Sequence, residues 1–120
     1  MTPSEIIHFE AVGAIGPYSG SVALNGICFA AGKIGVRGEG FEREVETAID
    51  AVEAELARSG MDLSDVISAT VYLTDMQRYA EFNEIYARRL PAPYPARTCV
   101  AVRELPAGAA VEIQVVASAP

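Results

Sequence analysis

The chain predicts an α+β fold in which two helices cover one face of a mixed β-sheet. Three observations carry that expectation. Short apolar runs alternating with period two recur along the chain, two segments switch to a helical period, and Asn-Gly, Gly or Pro punctuates the changes. Elements in the order hairpin, helix, strand, helix, hairpin close a core when both helices pack on the same side of the sheet. At 120 residues, 51% apolar and 21% charged, the chain is sized for one domain spanning residues 1–120.

Taken in order, a first strand is expected around His8. The stretch SVALNGICFAAG then holds two apolar runs around Asn25-Gly26, the pair that most readily takes the positive φ angles of a type I′ turn, so antiparallel strands flank it. GVRGEGFE follows; it lacks the Lys-Ser/Thr ending of a phosphate loop and the spacing of a dinucleotide fingerprint, and reads as a strand-to-helix connection. From Gly40 onward Phe41, Val45, Ala48, Ile49, Val52 and Leu56 share one helical stripe, and Gly60 supplies the stop.

DVISATVYLTD alternates, with Ile67, Ala69, Val71 and Leu73 on one face and Ser68, Thr70, Tyr72 and Thr74 on the other. Asp75 caps a second helix ending before Pro91, with Tyr79, Asn83, Tyr86 and Leu90 expected on its inward stripe. Two last strands meet across a Pro/Gly loop. In the final one Val111, Ile113, Val115 and Ala117 oppose Glu112, Gln114, Val116 and Ser118. The sheet face without helices is expected to carry Ser68, Thr70, Tyr72, Cys99, Glu112 and Gln114, a mixed surface suited to burial against another copy in a homo-oligomer.

Composition excludes several classes. Net charge is −7, a field that repels phosphate backbones, and no basic aromatic strip is present, so nucleic acid is not an expected partner. No apolar run approaches the ~20 residues of a membrane span. The N-terminal stretch has no basic segment followed by an apolar one, so the cytoplasm is the expected compartment, and Cys28 and Cys99 are expected as reduced, buried thiols. One histidine and two distant cysteines give no spaced metal-binding cluster and leave His8 alone to serve any histidine-dependent nucleophile.

Arg97 and Glu112 stand out, because a purely structural sheet needs neither charge at those places. Each has a bland reading as a solvated strand charge. The sharper reading sends both into a cleft on the face without helices, where a guanidinium fork grips a carboxylate and a carboxylate orients water. Hairpin pairing across LPAG would set Glu112 opposite Ala101, roughly 13 Å along the ladder from Arg97. Spacing alone leaves both readings open.

PARTCVAVRELPAGAAVEI, with Arg97, Cys99 and Glu112, resembles the signature of the RidA/YjgF/UK114 family of enamine and imine deaminases. So do AIGPYSGSV, holding Tyr18, and FNEIYARRL, holding Asn83. The resemblance implies a chorismate-mutase-like subunit in a homotrimer, sheets inward, with clefts between neighbours and no cofactor. It also implies that Arg97 binds the carboxylate of a 2-imino acid and Glu112 handles the hydrolytic water, with Tyr18, Cys99 and Asn83 lining or supporting the cleft. Ala31 stands where those deaminases usually place a small hydroxyl residue, Lys33 at a glutamine and Gly35 at a proline. Loss of the hydroxyl at Ala31 keeps open a non-catalytic 2-oxo-acid-binding trimer or chaperone-like regulator. Relatives have also carried endoribonuclease and translation-inhibitor labels.

Overall fold

A computed structural model describes residues 5–120. Its elements are β1 (Ile6–Glu10), β2 (Ser19–Leu24), β3 (Ile27–Ala30), α1 (Phe41–Ala57), β4 (Val66–Leu73), α2 (Tyr79–Arg89), β5 (Ala96–Ala101) and β6 (Val111–Ser118). The strands form one mixed sheet ordered β1-β2-β3-β6-β4-β5, with both helices on one side. The shortest dimension of the molecule, 21 Å, is that of two such layers.

The Asn-Gly turn forms as its residue types dictate. Asn25 and Gly26 take φ of 52° and 78°, and β2 pairs with β3 antiparallel from Ser21↔Ala30 to Leu24↔Ile27. α1 begins after Gly40, ends at Ala57 and is followed by Gly60 at φ 71°, and its apolar stripe is the buried one. Arg89 of α2 clasps it through ion pairs of 2.7 Å to Glu46 and 2.7 Å to Asp50.

The final pair is not a hairpin. β6 runs antiparallel between β3 and β4, while β5 lies parallel to β4 on the far edge, so β4, α2 and β5 make a strand-helix-strand crossover. Position follows apolarity: every second residue of β6, from Val111 to Ala117, is buried, so this strand belongs in the middle.

Two faces differ in detail from the alternation. A register slip between Val66 and Ser68 turns Val66 into the core and leaves Ile67 51% exposed. On α2 the residues turned inward are Phe82, Ile85, Tyr86 and Leu90, while Tyr79 and Asn83 flank them. Cys99 pairs with Val71, which places it on the helix side rather than on the open face. The open face does carry Thr70, Tyr72, Glu112 and Gln114, beside Val22, Phe29, Val116 and Val100. Both cysteines are free thiols. Among the described residues no helix is long and apolar enough to cross a membrane, and no cluster of His, Cys, Asp or Glu is arranged to hold a metal ion.

Candidate functional site

Arg97 lies on the edge strand β5, in register with Ala69, so its side chain leaves the sheet on the helix side. There its guanidinium carbon sits 4.8 Å from the centre of the Tyr86 ring and 5.6 Å from those of Tyr79 and Phe82. One nitrogen donates to the Tyr79 hydroxyl at 3.1 Å. Aromatic faces attract a cation without consuming its N–H donors. Among the described residues no carboxylate pairs with Arg97, so the fork is held in place and most of its donors stay free.

Beside it is a cavity of about 260 Å³ lined by Asn83, Tyr86, Ala87, Tyr94, Pro95 and Arg97. The Asn83 side-chain oxygen and the Tyr86 hydroxyl are buried with no hydrogen-bond partner among the described residues. An unpaired buried polar atom costs about 1–3 kcal/mol, so two of them beside an unpaired cation mark a place prepared for a polar ligand. Burial pushes the Tyr86 hydroxyl up from its ordinary value, more than the Arg97 charge pulls it down, so it is a neutral donor. Burial likewise pushes the Cys99 thiol up against the same charge. Cys99 is therefore protonated at neutral pH and is not a ready nucleophile.

Glu112 stands elsewhere. It pairs with Tyr72 on β4 and points to the open face. Beside it Gly32 follows β3, and backbone bonds of 2.8 and 2.9 Å between Lys33 and Ile113 hold that segment against β6. A Cβ on Gly32 would overlap the Glu112 carboxylate, so the absence of a side chain at 32 is what gives the acid its seat. Burial raises the Glu112 carboxyl above its ordinary range, and no described residue donates to it. A half-buried carboxylate with a raised pKa is a proton acceptor suited to activating water.

Glu112 shares a cavity of about 230 Å³ with Tyr18, Ala31, Gly32 and Pro106. Tyr18, 51% exposed, comes from the loop before β2, and Ala31 offers only a methyl group where a hydroxyl would have faced the acid. Lys33 is tied to a carboxylate within the chain. Its side chain is 17% exposed, and its ammonium binds Glu55 at 3.0 Å.

The structure thus builds two groups of polar residues and separates them. Arg97 aligns with Ala69 and Glu112 with Tyr72, three positions and two strand spacings apart, or about 14 Å between backbones. They also leave opposite faces of the sheet. The expected single cleft on the open face is corrected: Arg97, Asn83 and Cys99 belong to the α2 side, and Tyr18, Ala31 and Glu112 to the other. Gly32, Tyr86 and Tyr94 join these groups without having been singled out by sequence. Tyr86 carried a signal, as a polar-tipped member of an inward stripe. Gly32 carried none, because its role depends on a neighbour 80 positions away, from residue 32 to residue 112.

Residues 9–119 match the family described as Endoribonuclease L-PSP. The chain belongs to the RidA/YjgF/UK114 family. A RutC family protein of Aquifex aeolicus is 38% identical over 86% of this chain and 89% of its own length. The chloroplastic Reactive Intermediate Deaminase A of Arabidopsis thaliana is 34% identical over 95% of this chain and 65% of its own. Among solved structures, RidA from an Antarctic Psychrobacter has a TM-score of 0.87 at 33% identity, covering 92% of this chain and 94% of that one. A YjgF-family protein of Neisseria meningitidis gives 0.88 at 31%, covering 99% and 98%. Arg97, Cys99, Glu112, Tyr18 and Asn83 all fall inside the segment matching the RidA/YjgF/UK114 family.

Proposed function

We propose that this RidA-family chain is a deaminase that hydrolyses 2-imino acids, formed from enamines such as 2-aminoacrylate, to 2-oxo acids and ammonia. The observation that carries the reading is Arg97: an unpaired guanidinium fixed by three aromatic rings, beside two orphaned polar atoms. A carboxylate next to an N–H donor is what such a group is built to receive, and a 2-imino acid has both. The reading extends to a homotrimer in which the Arg97 half of one copy faces the Glu112 half of the next. Two different surfaces meeting head to tail favour a closed ring over a two-fold dimer, and a ring of three is the number that the family resemblance implies.

The chemistry asks little of the protein. An iminium carbon is already electrophilic, so the tasks are to orient it and to move a proton. Arg97 holds the carboxylate, and the Asn83 oxygen accepts an iminium N–H. Glu112 takes a proton from water as the oxygen bonds to carbon, and Tyr18 stands at the same cavity to steady the adduct. Proton return to nitrogen then breaks the C–N bond, and iminium plus water becomes 2-oxo acid plus ammonium. No step needs a cofactor.

A non-catalytic 2-oxo-acid binder is the second reading, favoured by the methyl group of Ala31 beside Glu112. Cleavage of RNA, the activity in the family's description, is disfavoured: net charge is −7, and His8 lies on β1, at the sheet edge opposite Arg97. The test supplies imines from an L-amino-acid oxidase and follows their capture by semicarbazide. Wild-type protein is expected to divert imine to 2-oxo acid, and Arg97→Ala to lose about 100-fold in kcat/KM. Equal rates for the two proteins would remove the catalytic assignment, and ligand binding without turnover would establish the binder instead.

A further inference from the structure

Resting on the deaminase reading, we infer that the cavity beside Arg97 is a side-chain pocket, and that the preferred substrates are 2-imino acids with branched aliphatic or aromatic side chains rather than 2-aminoacrylate. The groups common to every 2-imino acid, a carboxylate and an iminium N–H, are met by Arg97 and by the orphaned atoms of Asn83 and Tyr86. What is left of the lining is mostly carbon: the methyl group of Ala87, the Tyr94 ring and Pro95. Neither Ala87 nor Pro95 has a side-chain group that could bind a carboxylate or move a proton.

Size points the same way. The cavity holds about 260 Å³, whereas an apolar cavity of about 150 Å³ admits a benzene. A substrate ending in a methyl group leaves most of this space as water against hydrocarbon, and one the size of leucine or phenylalanine fills it. Tyr94 is 56% exposed and Ala87 lies on the outer flank of α2, so a ligand side chain entering here gains cover that the chain itself does not supply. In hydrophobic pockets one methylene changes kcat/KM by roughly 10-fold or more when well enclosed. This half-open pocket discriminates less per carbon, over several carbons.

The experiment compares imines generated from alanine, leucine and phenylalanine in the oxidase assay, using the wild-type protein, Ala87→Phe and Tyr94→Ala. Wild-type kcat/KM is expected to favour the leucine and phenylalanine imines by about 10-fold or more. Ala87→Phe, which fills the pocket from an exposed helix position, is expected to shrink that ratio to about threefold or less, and Tyr94→Ala to lower it as well. Circular dichroism and sedimentation confirm that each variant is folded and assembled. Equal kcat/KM for the three imines overturns the pocket assignment and leaves the deaminase reading standing. So does a ratio unchanged in both variants, including the case where Tyr94→Ala only loosens the assembly because a neighbouring copy fills the cavity. No turnover of any imine overturns the deaminase reading and this inference together.

Discussion

Glu112 is unfavourable where it stands. Burial raises its folded pKa above the unfolded value, so the folded state holds the proton more tightly. Its contribution to stability is therefore greatest in acid, below the unfolded pKa, and is lost as pH rises through the folded one. At neutral pH the ionised acid weakens the fold. Glu112→Gln is expected to melt higher than wild type at pH 7, with the gap closing toward pH 4, while kcat falls about 10²-fold. Melting curves at the two pH values together with the imine assay check both halves. A lower melting temperature at pH 7 would mean that the carboxylate has a partner. In wild type, kcat/KM should fall as pH drops through a pKa above the ordinary carboxylate range. At this scale the charges were legible because each interrupts an apolar strand, whereas Gly32 was not, since a missing Cβ matters only beside the group it accommodates.

At the scale of elements, α1 does more than cover the sheet. Its Glu55, 7% exposed, accepts from Ser21 of β2 at 2.6 Å and from Lys33 at 3.0 Å, and pairs with Arg58, which also donates to the Glu10 carbonyl at the end of β1. Burial alone would push the Glu55 carboxyl up, but the Ser21 and Lys33 hydrogen bonds and the Lys33 and Arg58 charges hold it below its ordinary value. A depressed folded pKa gives stability that is present above the unfolded value and lost as pH falls through the folded one. Glu55→Gln is expected to lose about 1–3 kcal/mol at pH 7 in urea denaturation, and less in acid. A loss independent of pH would show that shape rather than charge matters here.

The helices also show how far periodicity reaches. The stripe of α1 was readable because it repeats over many turns. α2 has a short stripe with four aromatic or amide side chains on adjoining faces, and only tertiary packing decides that Phe82 turns into the core while Tyr79 and Asn83 border Arg97. In β4 a single slipped residue exchanges Ile67 for Val66, and alternation alone carries no mark of a bulge.

For the whole molecule, the separation of Arg97 from Glu112 by the thickness of the sheet governs the outcome. If one copy's Arg97 works with the next copy's Glu112, two inactive variants should repair each other. Arg97→Ala and Glu112→Gln, denatured, mixed in equal amounts and refolded, are expected to recover about one quarter of wild-type activity, since one neighbouring pair in four keeps both residues. Recovery of none would place each site within a single chain. Sedimentation of the wild-type protein should report a trimer.

The sequence by itself determined the elements, the two-layer class and the chemical identity of the groups, because local turn chemistry, hydrophobic period and side-chain type are written residue by residue. Tertiary structure alone decided the strand order, and with it which groups meet. β6 inserts beside β4, the hairpin expected across LPAG disappears, and Arg97 and Glu112 part to opposite faces. The reason is physical: a strand's neighbours are chosen by how much apolar surface each pairing buries, a property of the whole sheet that no single segment contains.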